Sequence, residues 1–179
     1  MLSIDAIYID DTGKVYTPLT TSLNDLLCKI IRTNADINLR DNPILILKII
    51  NVTASLNSKL DEPLQKLLQQ HANLLSLASN ENNGNLDLEK IDIELQAMFL
   101  QGYALRSLDQ LLLTTVAKML FPTTHQVYFE NNIFRNWLCT NLAYTDARVA
   151  QGMPVSMDYI YSIFWWLISI NYHKITPPN

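Results

Sequence analysis

Asn42-Pro43-Ile44-Leu45-Ile46-Leu47-Lys48-Ile49-Ile50 is the stretch on which the fold class turns. By propensity it could be a buried strand, because β-branched isoleucines suit the extended chain. The Asn-Pro pair in front and the length of the apolar run decide for a helix reaching about Asn57. Asparagine suits an N-cap, and proline at the first helical position lacks only an N–H that would have no partner there. With this stretch helical, the chain reads as mainly α.

Upstream, residues 3–9 and 14–18 are β-prone runs around Asp10-Asp11-Thr12-Gly13, and Gly13 can take the left-handed position of a hairpin loop. A β-hairpin over 1–20 is predicted, with an exposed edge available for docking. Ser22 is expected to cap a helix to about Asn34 with Leu23, Leu26, Leu27, Ile30 and Ile31 on one face. Downstream, Asp61-Glu62-Pro63 opens a helix whose Leu64, Leu67, Leu68, His71, Leu74, Leu75 and Ala78 follow helical spacing. The polar, glycine-containing run Asn80–Asn85 marks a loop over 80–86. It separates N-terminal helices (21–79) from C-terminal helices (87–174) within one domain.

From Asp87 an apolar pattern through Leu88, Ile91, Leu95, Met98, Phe99, Leu105, Leu112, Val116 and Leu120 persists to Phe121-Pro122. It is either one long helix or two helices broken around Gly102. Thr123 or Thr124 is then expected to cap a helix through Trp137 to Val149, ended by Gly152 and Pro154. A last helix, capped by Ser156, carries Tyr159-Ile160-Tyr161-Ser162-Ile163-Phe164-Trp165-Trp166-Leu167-Ile168-Ser169-Ile170. Its uncharged run ends at Tyr172, short of the roughly 18–20 residues needed to span a bilayer. Tyr159, Ser162, Trp166, Ser169 and His173 form its partly polar stripe, opposite Ile160, Ile163, Phe164, Leu167 and Ile170.

With 49% hydrophobic and 17% charged residues, the chain is less charged than the ~25% usual for globular domains, as expected where partners occupy surface. Its net charge is −4 and its lysines and arginines are scattered, so a nucleic-acid backbone finds no electrostatic footprint. Cys28 and Cys139 lie far apart, outside any redox or metal spacing, and are expected to be buried free thiols. The start has no basic region before its apolar residues, so no signal peptide is expected and the compartment reads as cytoplasmic. Asn51-Val52-Thr53 matches the glycosylation pattern but falls inside an apolar periodic run, where an acceptor does not belong.

Tests for chemistry find no catalytic pattern. Glu89 and Asp92 share a helix face near Glu81, Asp87 and Glu94, but this is half of the paired acidic motifs with which helical nucleotide pyrophosphohydrolases hold Mg²⁺. Acidic residues also favour a first helical turn for electrostatic reasons. His71, His125 and His173 have no ligand-type residue at i±3 or i±4. Asp10 and Asp11 are adjacent, so on a strand they point to opposite sides, unlike the D-x-D pair of haloacid dehalogenase-like phosphatases. Four glycines leave little from which to build a phosphate cradle.

The sequence therefore predicts a single-domain, mainly α bundle of five to seven helices around a hydrophobic last helix, with a small N-terminal β-hairpin. No catalytic, cofactor-binding or metal residue is assigned. The expected function is a non-catalytic structural or adaptor subunit of a larger assembly, such as a viral particle, a secretion machine or a toxin-immunity pair. Its partner is a protein or further copies of the chain, with no nucleic acid and no membrane span. The candidate interface is Tyr159, Ser162, Trp165, Trp166, Ser169 and His173, anchored by aromatic side chains. The alternative is a small helical enzyme or ligand-binding domain with a pocket near Trp137, Trp166 and His173.

Overall fold

The computed structural model describes residues 8–12, 15–16, 22–33, 37–76 and 87–165, and these are mainly helical. At the N-terminus Tyr8–Ile9 (β1) and Val15–Tyr16 (β2) pair antiparallel, with Tyr8 opposite Tyr16. Between them Asp10 closes a polar turn, its Oδ1 accepting from the Thr12 N–H at 2.9 Å and the Thr12 hydroxyl at 2.6 Å. Gly13, expected to provide the left-handed loop position, lies outside the described residues.

The first helix, α1, is Ser22–Cys28 and does not reach Asn34. The chain leaves it through Lys29, at φ +55°, and Ile30–Ile31 become strand β3. β3 runs parallel to Lys59–Leu60 (β4), with the Lys59 N–H donating to the Lys29 carbonyl at 2.8 Å and the Asp61 N–H to the Ile31 carbonyl at 3.0 Å. Two adjacent β-branched residues serve such a ladder better than the end of a short helix. The isoleucines expected on the helix face thus join a parallel pairing that sequence reading had not included.

Helix α2, Ile44–Ser55, confirms helix over strand for the isoleucine-rich stretch. Pro43 already has helical dihedrals (φ −60°, ψ −25°), and Asn42 contributes its carbonyl, which accepts from the Leu45 N–H at 3.1 Å, rather than a side-chain cap. Ile44, Ile46, Leu47, Ile49, Ile50 and Ala54 are all buried. Helix α3, Glu62–His71, opens with the Asp61 side chain accepting from the Leu64 N–H at 3.1 Å, and a 3-10 turn over Ala72–Leu75 prolongs it. Ala78 and the 80–86 loop lie outside the described residues.

The long periodic pattern after Asp87 folds as three helices: α4 (Leu88–Leu100), α5 (Ala104–Leu113) and α6 (Val116–Leu120). Gly102, at φ +86°, makes the first break, which a glycine allows at low cost. Thr115, at φ +62°, makes the second, a conformation that a β-branched residue rarely adopts. The helix expected from Thr123 or Thr124 is likewise divided, into α7 (Pro122–Glu130) and α8 (Asn132–Ala150). Pro122 rather than a threonine opens α7, and the Asn131 side chain caps α8 by accepting from the Ile133 and Phe134 N–H groups at 2.9 and 3.0 Å. Gly152, at φ +74°, ends α8, with its own N–H bonded to the Val149 carbonyl and the Met153 N–H to that of Arg148. The final helix, α9, is described over 157–165, and the Tyr159 N–H donates to Ser156 Oγ at 3.3 Å. These divisions give more helices than the five to seven expected.

One cluster of buried side chains runs from Ile31 and Leu39 through α2 to α6 and α8, reaching Phe164 of α9. Its centre is α2, packed on α4 and α5, with α8 against α5 on the far side. The closing helix was expected at that centre. Its described part instead contributes one buried face, Ile160, Ile163 and Phe164. The break at Gly102 leaves the first amides of α5 without intrahelical partners, and Asp146 of α8 supplies them. Its Oδ1 accepts from the Ala104 N–H at 2.6 Å and its Oδ2 from the Leu105 N–H at 3.1 Å. Asp146→Ala is therefore expected to lower unfolding free energy by about 1–2 kcal/mol in urea denaturation, with Asp146→Asn losing less.

Candidate interaction surfaces

Of the candidate interface residues, Tyr159, Ser162 and Trp165 are described, and Trp166, Ser169 and His173 lie outside the described residues. Helix α9 is held on its inner side by ring contacts: Phe164 meets Phe99 edge-on at 5.4 Å and Phe121 at 5.1 Å. Hydrogen bonds tie its flanks, from the Tyr161 hydroxyl to Asp92 of α4 and from the Tyr159 hydroxyl to Asn141 of α8, both at 3.3 Å. On the outer side Ser162 is exposed and bonds back to the Tyr159 carbonyl at 2.7 Å, while Trp165 is 57% exposed. Tyr159 also lines a cleft of about 320 Å³ at the α8–α9 corner with Tyr144, Arg148, Pro154, Val155 and Ser156.

A second surface was not foreseen. Leu23, Leu26 and Leu27, at i, i+3 and i+4 on α1, are 46%, 44% and 74% exposed, whereas Asp25 of the same helix is 2% exposed. The helix is turned inside out relative to its hydrophobic pattern. Asp25 Oδ1 lies 2.9 Å from Arg32 Nε, which supplies the buried carboxylate with a counter-charge. The spacing of the leucines was legible, but the direction they face depends on this pairing across the α1–β3 turn, which periodicity does not encode. Cys28, next to them, is exposed rather than buried, and Cys139 is half-buried with its Sγ 3.9 Å from the Tyr128 hydroxyl.

Of the acidic residues near the start of α4, Asp87, Asp92 and Glu94 are engaged separately, Glu89 is exposed, and Glu81 lies outside the described residues. Asp87 Oδ1 caps the helix by accepting from the Glu89 and Lys90 N–H groups, and its Oδ2 lies 3.0 Å from Lys90 Nζ. The Lys90 side chain holds its carboxyl below the usual carboxylate range. Asp92 accepts from Gln96 and Tyr161, and Glu94 from the Asn51 side chain at 3.1 Å. Asn51 is thus engaged inside the helical layers. Among the described residues no group of histidine, cysteine and acidic side chains is arranged to hold a metal ion.

His71 Nδ1 donates to the Leu67 carbonyl at 3.0 Å, an arrangement within its own helix. The His125 ring lies 4.9 Å from that of Phe129, tilted by 57°, near the charge of Lys118. The Tyr128 hydroxyl is pushed up to about 12, first by desolvation and then by its hydrogen bond to Cys139. Trp137 is half-buried with its ring 6.4 Å from that of Phe134, and it does not line the α8–α9 cleft. No helix among the described residues is long and apolar enough to cross a membrane. In comparison with known proteins, the sequence matches no family model and no curated relative.

Desolvation, reinforced by Lys118, holds the His125 imidazole below its ordinary value of 6.5. The unfolded chain then binds a proton more readily than the folded one, so this contribution to stability is whole above about pH 6.5 and is lost as pH falls through the lowered value. An NMR titration of His125 should give a midpoint below the ordinary one, and Lys118→Gln should move that midpoint upward.

Proposed function

We propose that this chain is a non-catalytic structural or adaptor subunit of a larger protein assembly and works through protein–protein contacts. The observation that carries the reading is the outward leucine face of α1. A short helix that buries its acid and exposes its leucines forgoes hydrophobic stabilisation that a covering partner would recover. The half-exposed Trp165 and the Tyr144–Tyr159 corner add aromatic side chains of the kind that anchor interfaces. Asp87, Asp92 and Glu94 near α4 are taken up in a helix cap and in side-chain hydrogen bonds. A viral particle, a secretion machine and a toxin-immunity pair are the kinds of assembly this chemistry suits.

Leu27→Glu separates a partner-covered face from an ordinary surface. Its exposure means that folding stability should change by less than about 0.5 kcal/mol. Sedimentation of the purified chain, alone and with a defined partner, should show self-association or a stoichiometric complex that Leu27→Glu abolishes while circular dichroism is unchanged. A chain that stays monomeric with every partner tested, or a complex indifferent to Leu27→Glu, would overturn the reading.

A further inference from the structure

The segment from Leu23 to Arg32 has a pattern suited to one structure and is held in another. On an unbroken helix Leu23, Leu26, Leu27, Ile30 and Ile31 share one face, and Asp25, Lys29 and Arg32, at i, i+4 and i+7, share the opposite one. Asp25 and Lys29 would then form a solvated pair four residues apart, with the acid on the N-terminal side that such a pair favours. The structure does the reverse at each point. Lys29 breaks the helix at φ +55°, Ile30 and Ile31 leave as a strand, the leucines are exposed and Asp25 is buried.

This seating carries identifiable penalties. A lysine in the left-handed region is crowded at its Cβ, a cost that glycine avoids. Asp25 Oδ1 lies 2.9 Å from Arg32 Nε, but Oδ2 is buried with no hydrogen-bond partner. A buried carboxylate so incompletely satisfied gains little over its desolvation. Against these penalties stands the short β3–β4 ladder, with the Lys59 N–H on the Lys29 carbonyl and the Asp61 N–H on that of Ile31. Ile31 itself is wholly buried and lies at the end of the leucine stripe, so it can stay in the core while the stripe turns inward.

We propose that the α1–β3 segment is a two-state latch, open as described and closed when α1 runs on through Lys29 to Arg32. In the closed state β3 leaves β4, Asp25 turns out to solvent and the leucines pack inward beside Ile31. Local pattern and observed seating then correspond to two packings of one sequence, each satisfying what the other leaves unsatisfied. Closing covers the same leucine face that the assembly reading offers to a partner, so the latch would control docking. That use rests on the assembly reading, whereas the latch itself does not.

Nuclear magnetic resonance of the free chain tests the latch without any partner. The Lys59 and Asp61 amides should exchange with solvent through a local opening, at least about tenfold faster than the Ile50 amide of α2. Lys29→Gly, which suits the left-handed turn and disfavours the continuous helix, should slow that exchange about threefold to fivefold. Arg32→Met strips the buried Asp25 of its counter-charge, and should speed the exchange about tenfold or more and move the Ile30 and Ile31 Cα shifts towards helical values. Coil-like or strand-like shifts in Arg32→Met would overturn the latch. So would Lys59 and Asp61 amides that exchange no faster than Ile50, or that Lys29→Gly leaves unchanged. A complex indifferent to Leu27→Glu, by contrast, would sink the assembly reading and leave the latch standing.

Discussion

The structure depends on covering α2. With Ile44, Ile46, Leu47, Ile49, Ile50 and Ala54 all buried, this helix has an apolar surface extending around most of its circumference, and a single neighbouring helix cannot enclose it. α4 and α5 do so together, which requires the chain between them to reverse sharply. Gly102 provides the reversal, and its φ of +86° is why a side chain is unwelcome there, since a Cβ would meet Val149 Cγ1 of α8 only at an ordinary contact distance of 3.4 Å. The exposed start of α5 then needs acceptors, and Asp146 supplies them from the same stretch of α8. Burial of one helix thus dictates a break, a cap and the docking of a third helix.

What could be read in advance was what local chemistry decides. Asp61-Glu62-Pro63 announced α3 because cap, acid and proline act within one turn of one another. Gly152 announced the end of α8 for the same reason, and Gly102 was recognisable as one of two alternatives. Thr115 was not, because a threonine is a poor choice for the left-handed region and only the packing of α6 onto its neighbours imposes it. Asn131 was missed differently: it sits within an unbroken apolar rhythm from Val127 to Leu138, and a helical period does not reveal that the axis changes direction between two of its turns.

The surfaces were less legible than the core. Tyr159 and Trp165 were identified from the aromatic character of the last helix, while the expectation that the bundle packs around this helix meets a described segment with one buried face and one open one. The leucines of α1 were legible as a stripe, but not the direction in which the stripe faces. Amphipathic spacing tells which residues share a face, and a buried charge elsewhere on the helix can decide which way that face turns.

The energetics of α1 set a lower bound on what must cover it. Full burial of a leucine contributes about 1.5–3 kcal/mol, so covering Leu23 and Leu26, each about half buried, and the more exposed Leu27 recovers on the order of 2.5–5 kcal/mol. Association costs an estimated 4–15 kcal/mol in lost translational and rotational freedom. A seven-residue helix is only about 10 Å long, far too small for the ~1,000 Å² that a specific interface needs. The leucine face therefore cannot hold a partner alone. It can serve as the desolvated centre of a contact whose remaining area comes from elements beside it, and the orientation enforced by Asp25 and Arg32 keeps that centre open in the meantime.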